Sequence, residues 1–143
     1  MSTLDLETAR RIIAATLDAG HEQGLKPLSV AVLDAGGHLV AFEREDGSST
    51  HRFQVAHGKA HGAIAMGVGT RGLDQLAQAR PYFMTAVGAA IGGARVPVPG
   101  GVLVCDEAGT VLGAVGVSGD VSDNDETAVI AGVEAVGLVA RAD

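Results

Sequence analysis

Aromatic side chains are scarce in this sequence of 143 residues, which has no tryptophan, one tyrosine and three phenylalanines. Flat ligands such as nucleobases are commonly held against aromatic rings, so this scarcity counts against a nucleobase-binding pocket. Cysteine is almost absent as well. Cys105 is alone, which rules out an internal disulfide and is typical of a cytoplasmic protein.

Positive charge is also in short supply, because 10 Lys and Arg stand against 17 Asp and Glu, for a formal net charge of −7. Such a surface repels phosphate backbones, and no segment concentrates the basic residues, so we expect no nucleic-acid partner. No apolar run reaches the roughly 18 residues that span a bilayer, so we expect no membrane segment. The first residues have neither the basic nor the apolar region of a secretion signal, which again favours the cytoplasm.

Glycine, by contrast, is abundant: 21 of the 143 residues are glycine, against about 7% in average proteins. Hydrophobic residues make up 47% of the chain, which excludes a disordered protein and suffices for one core. A core of small aliphatic residues with many glycines implies close approaches between backbones. We expect a single domain over residues 1–143, because no linker and no internal repeat divides the chain.

The order of predicted elements indicates one antiparallel sheet covered by helices. Apolar residues at three- and four-residue steps predict a helix over 4–23, which Gly24 ends. Short β-branched runs joined by glycine-containing turns predict one β-hairpin over 28–42 and another over 102–117. Three further helices are predicted, over 51–66 with an N-cap from Ser48, Ser49 or Thr50, over 73–78 before Pro81, and over 122–140.

The last predicted helix is apolar on nearly every side, because Glu134 is the only charged residue between Ala128 and Ala140. Such a helix needs cover on more than one side, and one face of a sheet covers only one stripe. A neighbouring subunit would supply the remaining cover, so we expect a homo-oligomer. A central helix inside a compact monomer is the alternative interpretation.

Two histidines lie one turn apart on the predicted helix 51–66. His57 and His61 share a face with Phe53 and Ile64 at four- and three-residue steps. Imidazoles at this spacing can bind one metal ion, can act as catalytic acid–base groups, or can place one ring as an axial ligand of haem iron. Two histidines without function on a partly exposed helix face are the alternative.

Three charged side chains could hold or activate an acidic ligand. Arg44 could clamp a carboxylate with two hydrogen bonds, although Asp46-Gly47 beside it could equally form a simple turn. Lys59 could hold a carboxylate as a point charge or could form a structural ion pair. Asp125 could act as a general base under a neighbouring subunit, or could be a first-turn carboxylate that complements the helix dipole.

Backbone amides and one hydroxyl supply the remaining candidate ligand contacts. Gly100 and Gly101 precede a strand and could present free N–H groups to an anion. Ser118 lies just before the last helix, whose first amides would favour a negative ligand. The acidic residues at the start of that helix oppose such a ligand, so helix capping is the alternative there. Cys105 is expected to be a small buried hydrophobe.

Four segments carry recognisable motifs: SVAVLDAGGHLVAFEREDG (29–47), VAHGKAHGAIA (55–65), VPGGVLV (98–104) and GAVGVSGDVSDNDETAVIAG (113–132). In this order, over nearly the whole chain, they resemble the GlcG/HbpS family, which includes the C-terminal domain of PduO-type adenosyltransferases. The resemblance implies a profilin-like, three-layer α/β/α sandwich (α+β) with an antiparallel sheet. It also implies higher oligomers, often octamers, and haem as the ligand of several members, some of them linked to haem breakdown or redox sensing.

Two functions are consistent with these residues. The first is an oligomeric cytoplasmic protein that binds haem or a related tetrapyrrole as its small-molecule ligand, with His57 or His61 near the iron. The second is an enzyme acting on a small organic acid, with or without a divalent metal, in which the two histidines are metal ligands or acid–base groups and Arg44 or Lys59 anchors a carboxylate. The resemblance favours the first. Gly62, where family members usually carry threonine, and the few aromatic rings favour the second.

Overall fold

The computed structural model describes residues 1–143 and contains five helices and one five-stranded sheet. The helices are α1 (Leu6–Glu22), α2 (Arg52–Met66), α3 (Thr70–Ala79), α4 (Pro81–Ala90) and α5 (Ser122–Ala135). The strands are β1 (Ser29–Asp34), β2 (Leu39–Arg44), β3 (Gly101–Cys105), β4 (Val111–Ser118) and β5 (Val139–Arg141). Every strand pair is antiparallel, and the order across the sheet is β2-β1-β4-β3-β5.

The helices lie on both faces of this sheet. α2 packs on one face against the central strands β1, β4 and β3, whereas α1 and α5 pack together on the other face. Successive side chains of a strand point to opposite faces of the sheet, so each face carries an apolar cluster. Val30 belongs to the larger cluster, with α1 and α5, and Leu33 belongs to the smaller cluster beneath α2. The predicted α+β class and three-layer α/β/α sandwich are therefore confirmed. No helix is long and apolar enough to cross a membrane.

Both predicted hairpins are present. β1 pairs with β2, and β3 with β4, across the turns that the sequence predicted at 34–37 and 106–109. The first predicted helix also forms, with the Asp5 side chain accepting a hydrogen bond from the Thr8 amide at 2.8 Å. Gly24 follows its last turn at φ +69°, the left-handed conformation that commonly ends a helix.

The termini of α2 and α3 differ from the predictions. α2 begins without a side-chain cap, because His51 occupies the N-cap position and makes no capping bond. The predicted cap was wrong: Ser48 instead exchanges a hydrogen bond with Ser29, and Ser49 accepts one from the Arg52 side chain. Pro81 ends α3 and also begins α4, a helix that the sequence analysis left unassigned.

The predicted last helix is too long at its C-terminal end. α5 stops at Ala135, Gly137 turns the chain at φ +81°, and Val139–Arg141 forms a strand that pairs with β3. α5 lies against α1 on one side and against the sheet on the other, so its apolar sides are covered within one chain. The uncovered helix therefore no longer argues for a homo-oligomer, which stays a prediction from the family resemblance.

Glycines in the sheet allow α2 to approach the central strands closely. A Cβ atom built at Gly116 of β4 would collide with the carbonyl oxygen of Ala56 and lie 2.9 Å from the Ala60 amide nitrogen. The helix face above is itself made of small residues, since Ala56, Ala60 and Ala63 are all fully buried. This contact between backbones fixes the height of α2 above the sheet.

Gly116→Ala should therefore destabilise the protein by about 1–3 kcal/mol, because the added methyl group meets helix backbone that cannot rotate away. Urea denaturation followed by circular dichroism measures the change in the free energy of unfolding. Gly62→Ala is the matched control: its added Cβ would lie 3.3 Å from Arg95 Cβ, which requires a shift of only a few tenths of an ångström, and alanine favours the helix. Equal decreases in the free energy of unfolding for the two variants would contradict the close approach of α2 to the strand at Gly116.

Candidate functional site

The candidate site is a row of four rings, which we call the ring face: Phe42 of β2 and Phe53, His57 and His61 of α2. The Phe42 and Phe53 rings meet edge to face with centroids 4.8 Å apart. The Phe53 and His57 rings stack at 5.5 Å, and those of His57 and His61 at 5.7 Å. The expectation that both histidines project from one side of one helix is confirmed.

His61 is held by the segment that follows α4. Its Nδ1 lies 2.7 Å from the carbonyl oxygen of Ala94, and since a carbonyl only accepts, Nδ1 carries the proton and donates it. The proton on Nδ1 leaves the other ring nitrogen, Nε2, with its lone pair in the neutral imidazole. Such an outer hydrogen bond is the usual device that orients a metal-ligating histidine and makes its free nitrogen more basic.

His57 lies between Phe53 and His61 and is half-buried. Burial lowers the pKa of His57 below its ordinary value, and the nearby His61 imidazole lowers it further. His57 is therefore neutral at pH 7. A neutral ring in this position can stack and can offer a lone pair, but it adds no positive charge to the ring face.

The geometry does not support a metal ion shared by the two histidines. Imidazole lone pairs lie in the ring plane, and the planes of His57 and His61 differ by only 17°, so their lone pairs run side by side rather than converge. Protein sites for divalent metals use three or four ligands, and no group of three His, Cys, Asp or Glu residues is placed to hold one. The structure thus gives no support to the divalent-metal prediction.

Lys59 and Asp125 meet in the interior, although 66 residues separate them in the sequence. Lys59 Nζ lies 3.0 Å from Asp125 Oδ2 and donates to the Val117 carbonyl oxygen at 2.8 Å. The side chains are 2% and 1% exposed. Burial lowers the pKa of Lys59 and raises the pKa of Asp125, while their mutual attraction opposes both shifts. For Lys59 the structure shows the ion-pair alternative.

These contacts alter the roles expected for Lys59 and Asp125. A carboxylate ligand could reach Lys59 Nζ only by displacing Asp125, and a substrate could reach Asp125 only by breaking the same pair. The second oxygen of Asp125 is also taken, since it accepts the Asp120 amide at 2.9 Å. The ion pair links Lys59 of α2 to Asp125 of α5 beside the last residues of β4. Because both side chains are buried, the pair is not accessible to a ligand.

One of the two predicted anion-binding amides, that of Gly101, already has a hydrogen-bond partner. The Gly101 amide donates to Thr70 Oγ1 at 2.7 Å, and the same hydroxyl donates to the Gly101 carbonyl oxygen at 3.1 Å. The amide of Gly101 is therefore not free, which corrects that prediction. Gly100 is buried at φ +120°, where a Cβ atom would lie 2.7 Å from Lys59 Nζ, so its smallness serves the buried ion pair.

Arg44 and Ser118 lie apart from the ring face. Arg44 borders a cleft of about 500 Å³ between the end of α1 and β2, whose lining includes His21 and Glu45 but neither His57 nor His61. Its Nη1 donates to the Ser48 carbonyl oxygen at 2.8 Å. Ser118 is buried, and its hydroxyl accepts a hydrogen bond from Arg52 Nη1 at 2.8 Å.

Sequence reasoning missed two members of the site. Phe42 could have been found, because the hairpin register places it in the strand beside the helix and it is one of only three phenylalanines. The Ala94 carbonyl could not have been found. It belongs to the glycine-rich segment that the sequence left unassigned, and a backbone acceptor has no signature in the sequence.

The chain is similar to several known proteins over most of its length. A family model described as haem degrading protein HbpS-like matches residues 4–134. Protein GlcG of Escherichia coli (strain K12) is 32% identical over 114 residues, which cover 77% of this chain and 80% of GlcG.

Solved structures show the same fold. The crystal structure of a PduOC–haem complex covers 97% of this chain and 99% of its own, with a TM-score of 0.85 at 20% identity. The crystal structure of HbpS covers 96% and 92%, with a TM-score of 0.81 at 26% identity. That of the Klebsiella pneumoniae protein ORFY also covers 96% and 92%, with a TM-score of 0.85 at 22% identity.

Proposed function

Because the chain belongs to the HbpS-like family of haem degrading proteins, we propose that it binds haem or a related tetrapyrrole on the ring face. The observation that carries the proposal is the hydrogen bond from His61 Nδ1 to the Ala94 carbonyl oxygen, which leaves Nε2 as a lone-pair donor. Assembly into a homo-oligomer and a cytoplasmic location belong to the same proposal and rest on the family resemblance and the composition.

Two histidines, His57 and His61, suit haem iron better than a bare metal ion. A porphyrin supplies four nitrogen ligands of its own, so the protein needs to contribute only one or two axial ligands. A bare divalent ion would require three or four protein ligands, and no such group is present. Phe42 and Phe53 continue the ring face with apolar surface, which suits the edge of a large flat ligand.

Of the two histidines, we assign the axial position to His61. Its ring is oriented by a hydrogen bond of 2.7 Å, whereas His57 has no hydrogen-bonded partner for either ring nitrogen. His57 stacks on His61 and stays neutral, so it supports the His61 ring without adding charge beside the metal. Bound haem would supply an iron centre, and the role of the chain is to hold it through His61 Nε2.

Hemin titration of the purified protein tests the proposal. We expect a saturable shift of the Soret band with the wild type. His61→Ala should raise the dissociation constant on the order of 100-fold, because loss of an oriented ligand costs at least as much as loss of its outer-shell partner. His57→Ala should have a smaller effect, and the double variant should show no axial-histidine spectrum.

His38→Ala is the matched control, since the His38 side chain is 80% exposed in the β1–β2 turn and pairs with Asp34 rather than with a ring of the ring face. It should titrate like the wild type. The proposal would be contradicted if the wild type showed no saturable shift, or if His38→Ala and His61→Ala weakened hemin binding equally. Circular dichroism of each variant confirms that it is folded before the titration.

A further inference from the structure

A second, smaller cavity of about 200 Å³ opens beside the first residue of α2. Its lining contains two cationic residues, Lys26 and Arg52, together with Ser48 and Ser49 and the backbone of glycines 47 and 119, and it contains no carboxylate. None of these residues belongs to the ring face. The cavity is therefore separate from the ring face, and although Pro27 also lines it, its charged side chains are all positive in a protein whose net charge is −7.

Arg52 is the main observation, because it is a half-buried cation without a carboxylate partner. Its Nε donates to Ser49 Oγ at 3.2 Å and its Nη1 donates to Ser118 Oγ at 2.8 Å, both of them neutral oxygens. Two other cations withdrawn from solvent are paired with carboxylates, Lys59 with Asp125 and Arg71 with two acidic residues. The half-buried Arg95, by contrast, donates to the Met84 carbonyl oxygen. The two hydroxyl contacts fix the plane of the guanidinium and leave its Nη2 donors unused.

The acidic groups near this cavity are hydrogen-bonded and do not line it. Asp120 accepts hydrogen bonds from the Lys26 amide, the Val121 amide and the Asn124 side chain. The Asp125 carboxylate is held by Lys59 at 3.0 Å. Neither carboxylate lines the cavity, so the charge that faces its interior comes from Lys26 and Arg52.

We propose that this cavity binds a small tetrahedral oxyanion, either inorganic phosphate or the terminal group of a phosphate monoester. Donors that face one point from several sides suit a tetrahedral anion, which offers acceptors in several directions. Arg52 and Lys26 supply the charge, and the Ser49 hydroxyl, which accepts from Arg52, has its own proton free to donate. The cavity volume of about 200 Å³ is large enough for a phosphate and its first waters.

Two of the residues that line the cavity are glycines, Gly47 and Gly119. Gly119 has no space for a side chain, because an added Cβ atom would collide with the Pro27 carbonyl oxygen. Gly47 adopts φ +88°, which favours glycine, and an added Cβ atom there would lie 3.3 Å from the Pro27 ring. The two glycines therefore add no side chains of their own to a lining that also includes Pro27.

Titration with inorganic phosphate, followed by amide chemical shifts at constant ionic strength, tests this site. We expect saturable shifts that cluster at residues 47, 49 and 119. Arg52→Gln should weaken phosphate binding about 10- to 100-fold, as expected for charged hydrogen bonds. Lys26→Ala changes an exposed side chain without internal bonds and should weaken binding several-fold while leaving the fold intact, which guards against a folding defect in Arg52→Gln.

Arg10→Gln is the control, since it removes one positive charge from the solvent face of α1 far along the chain from the cavity. It should bind phosphate like the wild type. Saturation by glycerol 3-phosphate at a lower concentration than by phosphate would identify a monoester as the ligand, and the reverse order would identify the free anion. Shifts spread over the surface, equal weakening by Arg10→Gln and Arg52→Gln, or equally tight binding of acetate would overturn the proposal.

Discussion

Replacement of Asp125 by alanine is expected to destabilise the protein by about 3–5 kcal/mol, one of the two largest losses among the substitutions considered. The variant leaves Lys59 Nζ, in a side chain that is 2% exposed, with only the Val117 carbonyl oxygen as a partner. A buried ammonium without its carboxylate costs far more than an exposed one, because the low-dielectric interior does not replace the lost water.

Urea denaturation at pH 7 measures this loss. Asp123→Ala is the matched control: it removes a carboxylate from the same turn of α5, but the Asp123 side chain is 78% exposed and pairs with Arg71 at the surface. Asp123→Ala should lower the free energy of unfolding by less than about 1 kcal/mol, as for other surface ion pairs. Similar losses for Asp123→Ala and Asp125→Ala would contradict the importance of burial.

A double variant separates the loss of the pair from the burial of a lone charge. Lys59→Met with Asp125→Leu removes both charges and keeps apolar volume, so it should be much more stable than Asp125→Ala alone. If the double variant were as unstable as Asp125→Ala, the cost would come from lost packing or hydrogen bonds at the end of the sheet rather than from an unpaired Lys59.

Leu33→Ala is the second substitution with a large expected effect, a loss of about 2–5 kcal/mol. Leu33 is fully buried on the face of the sheet beneath α2, where it packs with Leu103 and with the small residues Ala60 and Ala63. Those neighbours are short and belong to a helix held close to the strands by Gly116, so they cannot fill the space that Leu33 leaves.

Leu39→Ala provides a nearly ideal control, since Leu39 is the register partner of Leu33 in the first hairpin but is 48% exposed. The same atoms are removed from the adjacent strand, and the loss should stay below about 1 kcal/mol. Thermal or urea unfolding of both variants measures the difference. Equal losses would show that strand pairing, rather than the core beneath α2, determines the stability here.

The same core links stability to the proposed haem site. α2 carries Phe53, His57 and His61 on its outer side and the small residues of the core on its inner side. A change beneath the helix that lets it shift would move His61 Nδ1 away from the Ala94 carbonyl oxygen, which lies outside the helix. Variants of the core are therefore unsuitable as neutral controls in the hemin titration.

Several local features could be predicted from the sequence because they depend on short-range geometry. The hairpins follow from β-branched runs and glycine turns, whereas the irregularity between Val32 and Leu33 that shifts the register of the first hairpin was not predicted. The common face of His57 and His61 follows from the 3.6-residue repeat of the helix alone. Gly24 ends α1 for a similarly local reason, since its backbone is left-handed.

The C-terminal end of α5 shows where local pattern fails. The run from Ala128 to Ala140 is apolar throughout except for Glu134, and an apolar run fits a buried helix as well as a strand. Gly137 permits the turn, but it is the free edge of β3 that makes a strand at Val139–Arg141 favourable, since that edge satisfies its backbone hydrogen bonds. The edge exists only in the folded sheet.

The sequence by itself determined the first helix, the two hairpins, the α+β class and the two histidines on one side of α2, because each depends on residues within a few positions of one another. Only the tertiary structure decided which groups are partners: Lys59 with Asp125, His61 with the Ala94 carbonyl oxygen, and Gly101 with Thr70. These contacts join residues 31 to 66 positions apart. The physical reason is that a polar group withdrawn from water must find whichever partner the packing of helices and strands brings within hydrogen-bond distance, and that partner has no local signature.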